Sequence, residues 1–192
     1  MSKLNELQTY LMDQQIDAAF ITTPDNVFYF SGFSSDPHER LLGIMVFKDA
    51  APFLICPKME MPDVVAAGWT HEVVGHEDTQ NAWDVVAQTV ATRETAFTSL
   101  AIEKSHLTVE RFEAIQERYE NLTFTGIDDK INAMRICKDE KELVKMRKAA
   151  ELADYAIQVG CDAITEGKTE MEVLNEVESA IKAKGYAMSF DT

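Results

Sequence analysis

The chain has 192 residues, 46% of them hydrophobic, with 33 acidic against 18 basic side chains and a net charge of −15. That apolar content is too high for a disordered chain, and so acidic a surface repels phosphate backbones and anionic lipid, which argues against nucleic-acid and membrane partners. No stretch is long and apolar enough to span a bilayer, the N-terminal MSKLNELQTYLMDQQ lacks the apolar run of a signal peptide, and Cys56, Cys137 and Cys161 show no CxxC spacing, so a reduced, cytoplasmic protein with buried thiols is expected.

Leu4, Leu7 and Leu11 begin a first helix, and residues 17–22 read as a buried strand. Thr23-Pro24-Asp25-Asn26 is turn chemistry, with Asn26 able to cap a short helix over residues 27–30. Residues 32–40 read as loop. Residues 41–47 and 53–56 are strand-like, and the short link between them requires an antiparallel hairpin. A helix over 58–67, a strand over 71–74, a helix carrying Trp83, Val86 and Val90, and a strand over 100–103 follow. Thr108 caps a helix bearing Phe112, Ile115 and Tyr119, and residues 122–127 form the last strand. Helices alternate with strands except at the hairpin, which predicts an α/β layer fold with a mixed sheet.

The alternation ends near residues 128–138, so a boundary is expected there. Residues 1–131 carry 21 acids and 9 bases, and residues 132–192 carry 12 and 9. In the second region Asp139 and Glu142, then Thr169 and Glu172, have the spacing of capping boxes and start two helices. Leu143, Met146, Ala150, Ala153, Ile157, Cys161 and Ile164 form an apolar row that should face a core. Gly167 is a natural stop for the first helix, and Lys182, Lys184 and Gly185 close the second.

No GxGxxG, GxxxxGK or GxSxG is present, so nucleotide binding and a serine-hydrolase elbow have no support. His71 and His76 are five apart, a spacing that puts them on different faces of either a helix or a strand. They read as a strand end and a polar loop rather than a metal pair. Asp128 and Asp129 suit the positive end of a helix dipole. Ser35-Asp36-Pro37-His38-Glu39-Arg40 gathers ionisable groups of both signs around a proline. It is either a solvated loop or a binding loop. In the second case Arg40 would grip a carboxylate with paired donors, Asp36 or Glu39 would meet an amine, and His38 would add pH sensitivity.

The segments TTPDNVFYFSGF, ERLLGIMVF, AIEKSHLT, MRICKDEKELVKMRKAAELAD, EGKTEMEV and the terminal SFDT, in this order and spacing, resemble the N-terminal part of Xaa-Pro dipeptidases (prolidases) of the creatinase/aminopeptidase P superfamily. The resemblance implies a mixed-sheet, ribonuclease H-like creatinase/prolidase N-terminal domain over residues 1–131. The linker and start of a pita-bread metallopeptidase domain would follow over 132–192, with the body of that domain lying beyond Thr192. It also implies a homodimer in which each N-terminal domain leans over its partner's active site. In the complete enzyme two divalent metal ions (Mn, Co or Zn) activate a water that attacks the carbonyl before proline in a dipeptide.

The family's ligands, two Asp, one His and two Glu, fall beyond the segment matching SFDT, and Asp191 is not one of them. No catalytic residue and no metal ligand is therefore expected within this chain, which by itself should be inactive and serve dimerisation and active-site covering. Asp36, His38, Glu39 and Arg40 are its expected substrate-binding residues. A non-catalytic dimerisation or binding module on the same fold, and an aminopeptidase P or creatinase-like sibling enzyme, stand as alternatives.

Overall fold

The computed structural model describes residues 2–95 and 97–187, so the terminal SFDT and Asp191 lie outside the described residues. The chain divides into two compact units, residues 1–136 and 137–192.

The first unit is built on a six-stranded mixed sheet. Helix α1 (Lys3–Asp13) is capped by Ser2, buries Leu7 and Leu11, and leads into β1 (Ala18–Ile21). Helix α2 (Pro24–Ser31) follows, then β2 (Gly43–Phe47) and β3 (Phe53–Pro57). A single 3-10 turn (Lys58–Glu60) runs into α3 (Met61–Ala66). After it come β4 (Glu72–His76), α4 (Ala82–Ala91), β5 (Ser99–Ile102), α5 (Val109–Gln116), β6 (Thr123–Gly126) and α6 (Asp128–Ile136). The strand order is β4-β3-β2-β1-β5-β6. Only β2 runs against the others, pairing antiparallel with β1 and β3, while β3–β4, β1–β5 and β5–β6 are parallel.

Strand alternation sorts the core into two layers. Ala19, Ile21, Ile44, Val46, Leu54 and Cys56 face α1, α2, α3 and α6. Ala18, Phe20, Met45, Phe47, Phe53 and Ile55 face α4 and α5. Helix α6 belongs to the first layer, since Ile131 and Met134 are buried in it. Among the described residues no helix is long and apolar enough to cross a membrane. Cys56 is buried, and burial pushes its thiol up to about 12. Cys137 and Cys161 are exposed, contrary to the expectation that all three cysteines are buried.

Helix α2 starts earlier than the sequence suggests. Thr23 is its N-cap and Pro24 stands in its first turn, where the fixed φ of proline suits a helix and its missing N–H costs nothing. Asn26 is therefore no cap. It is buried inside the helix, donates to Glu103 Oε1 at 2.5 Å, and accepts from Arg135 Nη1 at 2.6 Å. Glu103, only 1% exposed, also accepts the backbone amides of Thr22 at 2.5 Å and Thr23 at 2.8 Å. A carboxylate from the end of β5 thus sits at the positive end of α2. Asp128 acts similarly, accepting the amides of Lys104 at 2.9 Å and Ser105 at 3.1 Å and the Ser105 hydroxyl. Burial would raise its carboxyl, but the Ser105 hydroxyl and these amides outweigh burial and hold it below the ordinary value.

A second buried carboxylate, 4% exposed, joins three strands. Asp17 Oδ1 receives Lys48 Nζ at 2.7 Å, and Oδ2 receives Thr98 N at 2.8 Å, Thr98 Oγ1 at 2.9 Å and Ser99 N at 3.1 Å. Burial alone would raise this carboxyl, yet Lys48 and Thr98 hold it far below the ordinary range. Because the unfolded state binds the proton more readily, the stabilisation is present above the ordinary carboxylate pKa of about 4 and is lost as pH falls below it. Asp17→Asn is expected to cost about 1.5 kcal/mol at neutral pH and to flatten the acid limb of a stability–pH curve. Chemical denaturation between pH 7 and pH 2 checks this. A variant whose acid limb parallels wild type would show that Asp17 is not the group responsible.

The second unit contains α7 (Glu140–Ala163) and α8 (Glu170–Ala183), both begun by the capping boxes read from sequence. The two helices meet along Leu152, Ala156, Val159 and Ala163 of α7 and Val173, Leu174, Val177 and Ile181 of α8, all buried or half-buried. At Gly160 an added Cβ would lie 3.5 Å from Val177 Cγ2. The apolar row of α7 that should face a core turns away from α8. Met146, Ala150, Ala153, Ile157, Cys161 and Ile164 are exposed, because α8 covers the neighbouring row instead.

Candidate functional site

The mixed-charge loop borders a cleft of about 760 Å³ in the first unit. One wall is Glu39, Arg40 and Leu41. A second is the turn after β4, with His76, Glu77 and Asp78, running into Trp83 of α4. The third is α5 and its C-terminal extension, where Glu110, Glu113 and Glu117 form one row and Arg111, Ala114 and Arg118 the next. These rows follow from helical spacing of three and four residues. The cleft reaches the C-terminal end of β4 at His76, the side of an open α/β sheet on which ligands commonly bind.

The loop itself has a defined shape. Pro37 is buried, and its carbonyl accepts from Arg40 N at 3.0 Å. His38 has φ 51°, in the left-handed region, which its neighbours must stabilise. The Asp36 carboxylate accepts from His38 N at 3.3 Å, and its other oxygen lies 3.8 Å from His38 Nδ1. Asp36 and His38 are 81% and 74% exposed, and Glu39 is exposed too.

Arg40 behaves differently from these three. Its Nε meets Asp78 Oδ1 at 2.9 Å and its Nη2 meets Asp78 Oδ2 at 3.2 Å, a two-point fork. The structure therefore brings Asp36 and His38 together and turns Arg40 toward the cleft wall. Arg111 Nη2 donates to the carbonyls of Glu39 at 3.4 Å and Arg40 at 3.3 Å. His76, 5% exposed, has Nε2 2.9 Å from Leu41 O. Nearby, Arg118 pairs with Asp84 at 2.5 Å and donates to Ala114 O at 2.7 Å. Asp78, Arg111 and His76 were not legible as site residues, since only the sheet order brings positions so far apart in sequence beside residue 40.

The other sequence candidates take structural roles. His71 stacks edge-on against Trp69 at 5.2 Å, and His76 closes the end of β4. Asp128 and Asp129 stand in the first turn of α6, but the stronger role of Asp128 is its hold on residues 104 and 105. Among the described residues no three His, Cys, Asp or Glu side chains converge to hold a metal ion. The groups at hand can recognise charged termini of a small ligand, through carboxylates and an imidazole, but include no activated nucleophile.

Residues 3–137 match the Creatinase/Prolidase N-terminal domain. An uncharacterized peptidase of Staphylococcus aureus is 44% identical over an alignment of 193 residues, covering 100% of this chain and 53% of that protein. The chain thus spans about half the length of the curated relatives it matches. Among solved structures, the N-terminal domain of an Xaa-Pro dipeptidase from Lactobacillus brevis superposes with a TM-score of 0.66 at 32% identity, over 69% of this chain and 99% of that one. The prolidase from Pyrococcus horikoshii OT3 gives 0.76 at 28% identity, over 95% of this chain and 48% of that one.

Proposed function

The chain belongs to the creatinase/prolidase N-terminal domain family, and on that premise we propose that it is the N-terminal portion of a metal-dependent Xaa-Pro dipeptidase. The complete protein would act in the cytoplasm as a homodimer and hydrolyse the bond before proline in dipeptides. This portion would supply dimer contacts and the loop carrying Asp36, His38, Glu39 and Arg40 that covers the substrate. The observation that carries the reading is the exposed trio Asp36, His38 and Glu39, presented on a shaped loop beside a charged cleft. A dipeptide has an ammonium within a few bonds of the scissile amide, so a loop that offers two carboxylates to it, with an imidazole between them, selects for length as well as sequence.

The divalent metals this activity calls for find no ligand set among the described residues. The 192-residue chain alone is accordingly expected to release no proline from an Xaa-Pro dipeptide and to carry no stoichiometric Mn, Co or Zn. The protein at its relatives' full length is expected to release proline and to carry the metal. Proline release and elemental analysis on the two proteins side by side check this. Turnover by the chain alone, or a metal-loaded full-length protein inert toward Xaa-Pro dipeptides, would overturn the proposal. The second result would favour the non-catalytic or sibling-enzyme readings.

A further inference from the structure

A loop that recognises a small ligand must keep its shape, and residues 36–41 are gripped from separate elements. Arg111 reaches from α5 to two successive carbonyls, those of Glu39 and Arg40. His76 meets the next carbonyl, that of Leu41, from the end of β4. Asp78 takes the Arg40 guanidinium in a two-point fork. The carbonyls from Glu39 to Leu41 are therefore all engaged. The side chains divide accordingly, with Asp36, His38 and Glu39 in solvent and Arg40 turned to the framework. A guanidinium whose fork already holds Asp78 has committed the geometry by which it would grip a ligand carboxylate.

We propose that Asp78 and Arg111 are positioning residues for the 36–40 loop, and that Arg40 acts through Asp78 rather than by touching substrate. This rests on the dipeptidase reading above. An exposed ion pair adds little to global stability, so its loss is read in local order instead.

Amide hydrogen exchange on the 192-residue chain is the first test. In Asp78→Asn and Arg111→Ala, amides 38–41 should exchange about tenfold faster, while the strands keep their protection. Steady-state kinetics of the full-length enzyme on an Xaa-Pro dipeptide is the second. Asp78→Asn and Arg40→Ala should each raise KM about three- to tenfold with kcat held, and the double variant should be no worse than either alone. Unchanged exchange at 38–41 in both single variants overturns the proposal whatever the kinetics. Additive effects of Arg40→Ala and Asp78→Asn overturn the claim that Arg40 works through Asp78. Faster exchange with wild-type kinetics throughout supports the positioning of the loop and overturns its part in substrate recognition.

Discussion

Glu103→Ala is expected to destabilise the first unit by about 3 kcal/mol. The carboxylate is 1% exposed and satisfies two backbone amides, Thr22 and Thr23, together with the Asn26 side-chain amide. Removing it leaves these donors without their acceptor. A hydrogen bond to a charged group contributes about 1.5–3 kcal/mol, and each donor left buried without a partner adds to the cost. The space the side chain leaves adds a smaller packing loss. Glu103→Gln should recover only part, because its new NH₂ would face amide N–H groups that need an acceptor. Trp69 and Trp83 are the chain's two tryptophans and both lie in the first unit, so their fluorescence in urea reports this unit selectively. A midpoint within about 0.5 kcal/mol of wild type would mean that water or a shifted side chain replaces the carboxylate.

Gly43→Val is expected to cost about as much for a different reason, and Gly43→Ala roughly half of it. A Cβ at this position would lie 2.7 Å from Phe20 Cε2 and 2.9 Å from the Ile21 carbonyl oxygen. Valine is a better strand former than glycine, a preference worth up to about 1 kcal/mol. The clash wins because neither obstacle can yield. The Phe20 ring is fully buried and meets Trp83 edge-on at 5.8 Å. The Ile21 carbonyl belongs to β1, whose register with β2 is fixed through Ile21 and Ile44. Thermal and urea unfolding of both variants decide the matter. A valine variant as stable as wild type would show that β1 and β2 can separate by several tenths of an ångström without penalty.

The sheet was readable because its strands are short apolar blocks separated by turn residues, and because the link between residues 47 and 53 admits only a hairpin. Capping boxes at Asp139 and Thr169 were equally plain, since both partners lie within three residues of each other. What escaped depended on tertiary choice. Helix α7 carries apolar residues on two adjacent rows, and spacing alone does not say which one α8 will take. Asn26 has the chemistry of a cap, but Pro24 favours an earlier start, and Glu103 and Arg135 then recruit the amide side chain into the interior. At the candidate site the loop was visible as a cluster of charges around a proline. The roles of Asp78 and Arg111 were not, because carboxylates and guanidinium groups at those positions look like ordinary solvated residues until β4 and α5 converge on the loop.

The position of β1 in the sheet bears on how the chain is made. Its antiparallel neighbour β2 emerges from the ribosome soon after it, so β1, β2 and β3 can pair as a local meander during synthesis. Its parallel neighbour β5 comes much later, and the Asp17–Thr98 contact that locks them spans 81 residues. Until residue 102 has been translated, the Ala18–Ile21 strand carries an open hydrogen-bonding edge between apolar faces. Such an edge is a template for pairing with a neighbouring nascent chain. A stall between β3 and β5 would therefore leave an intermediate prone to aggregate.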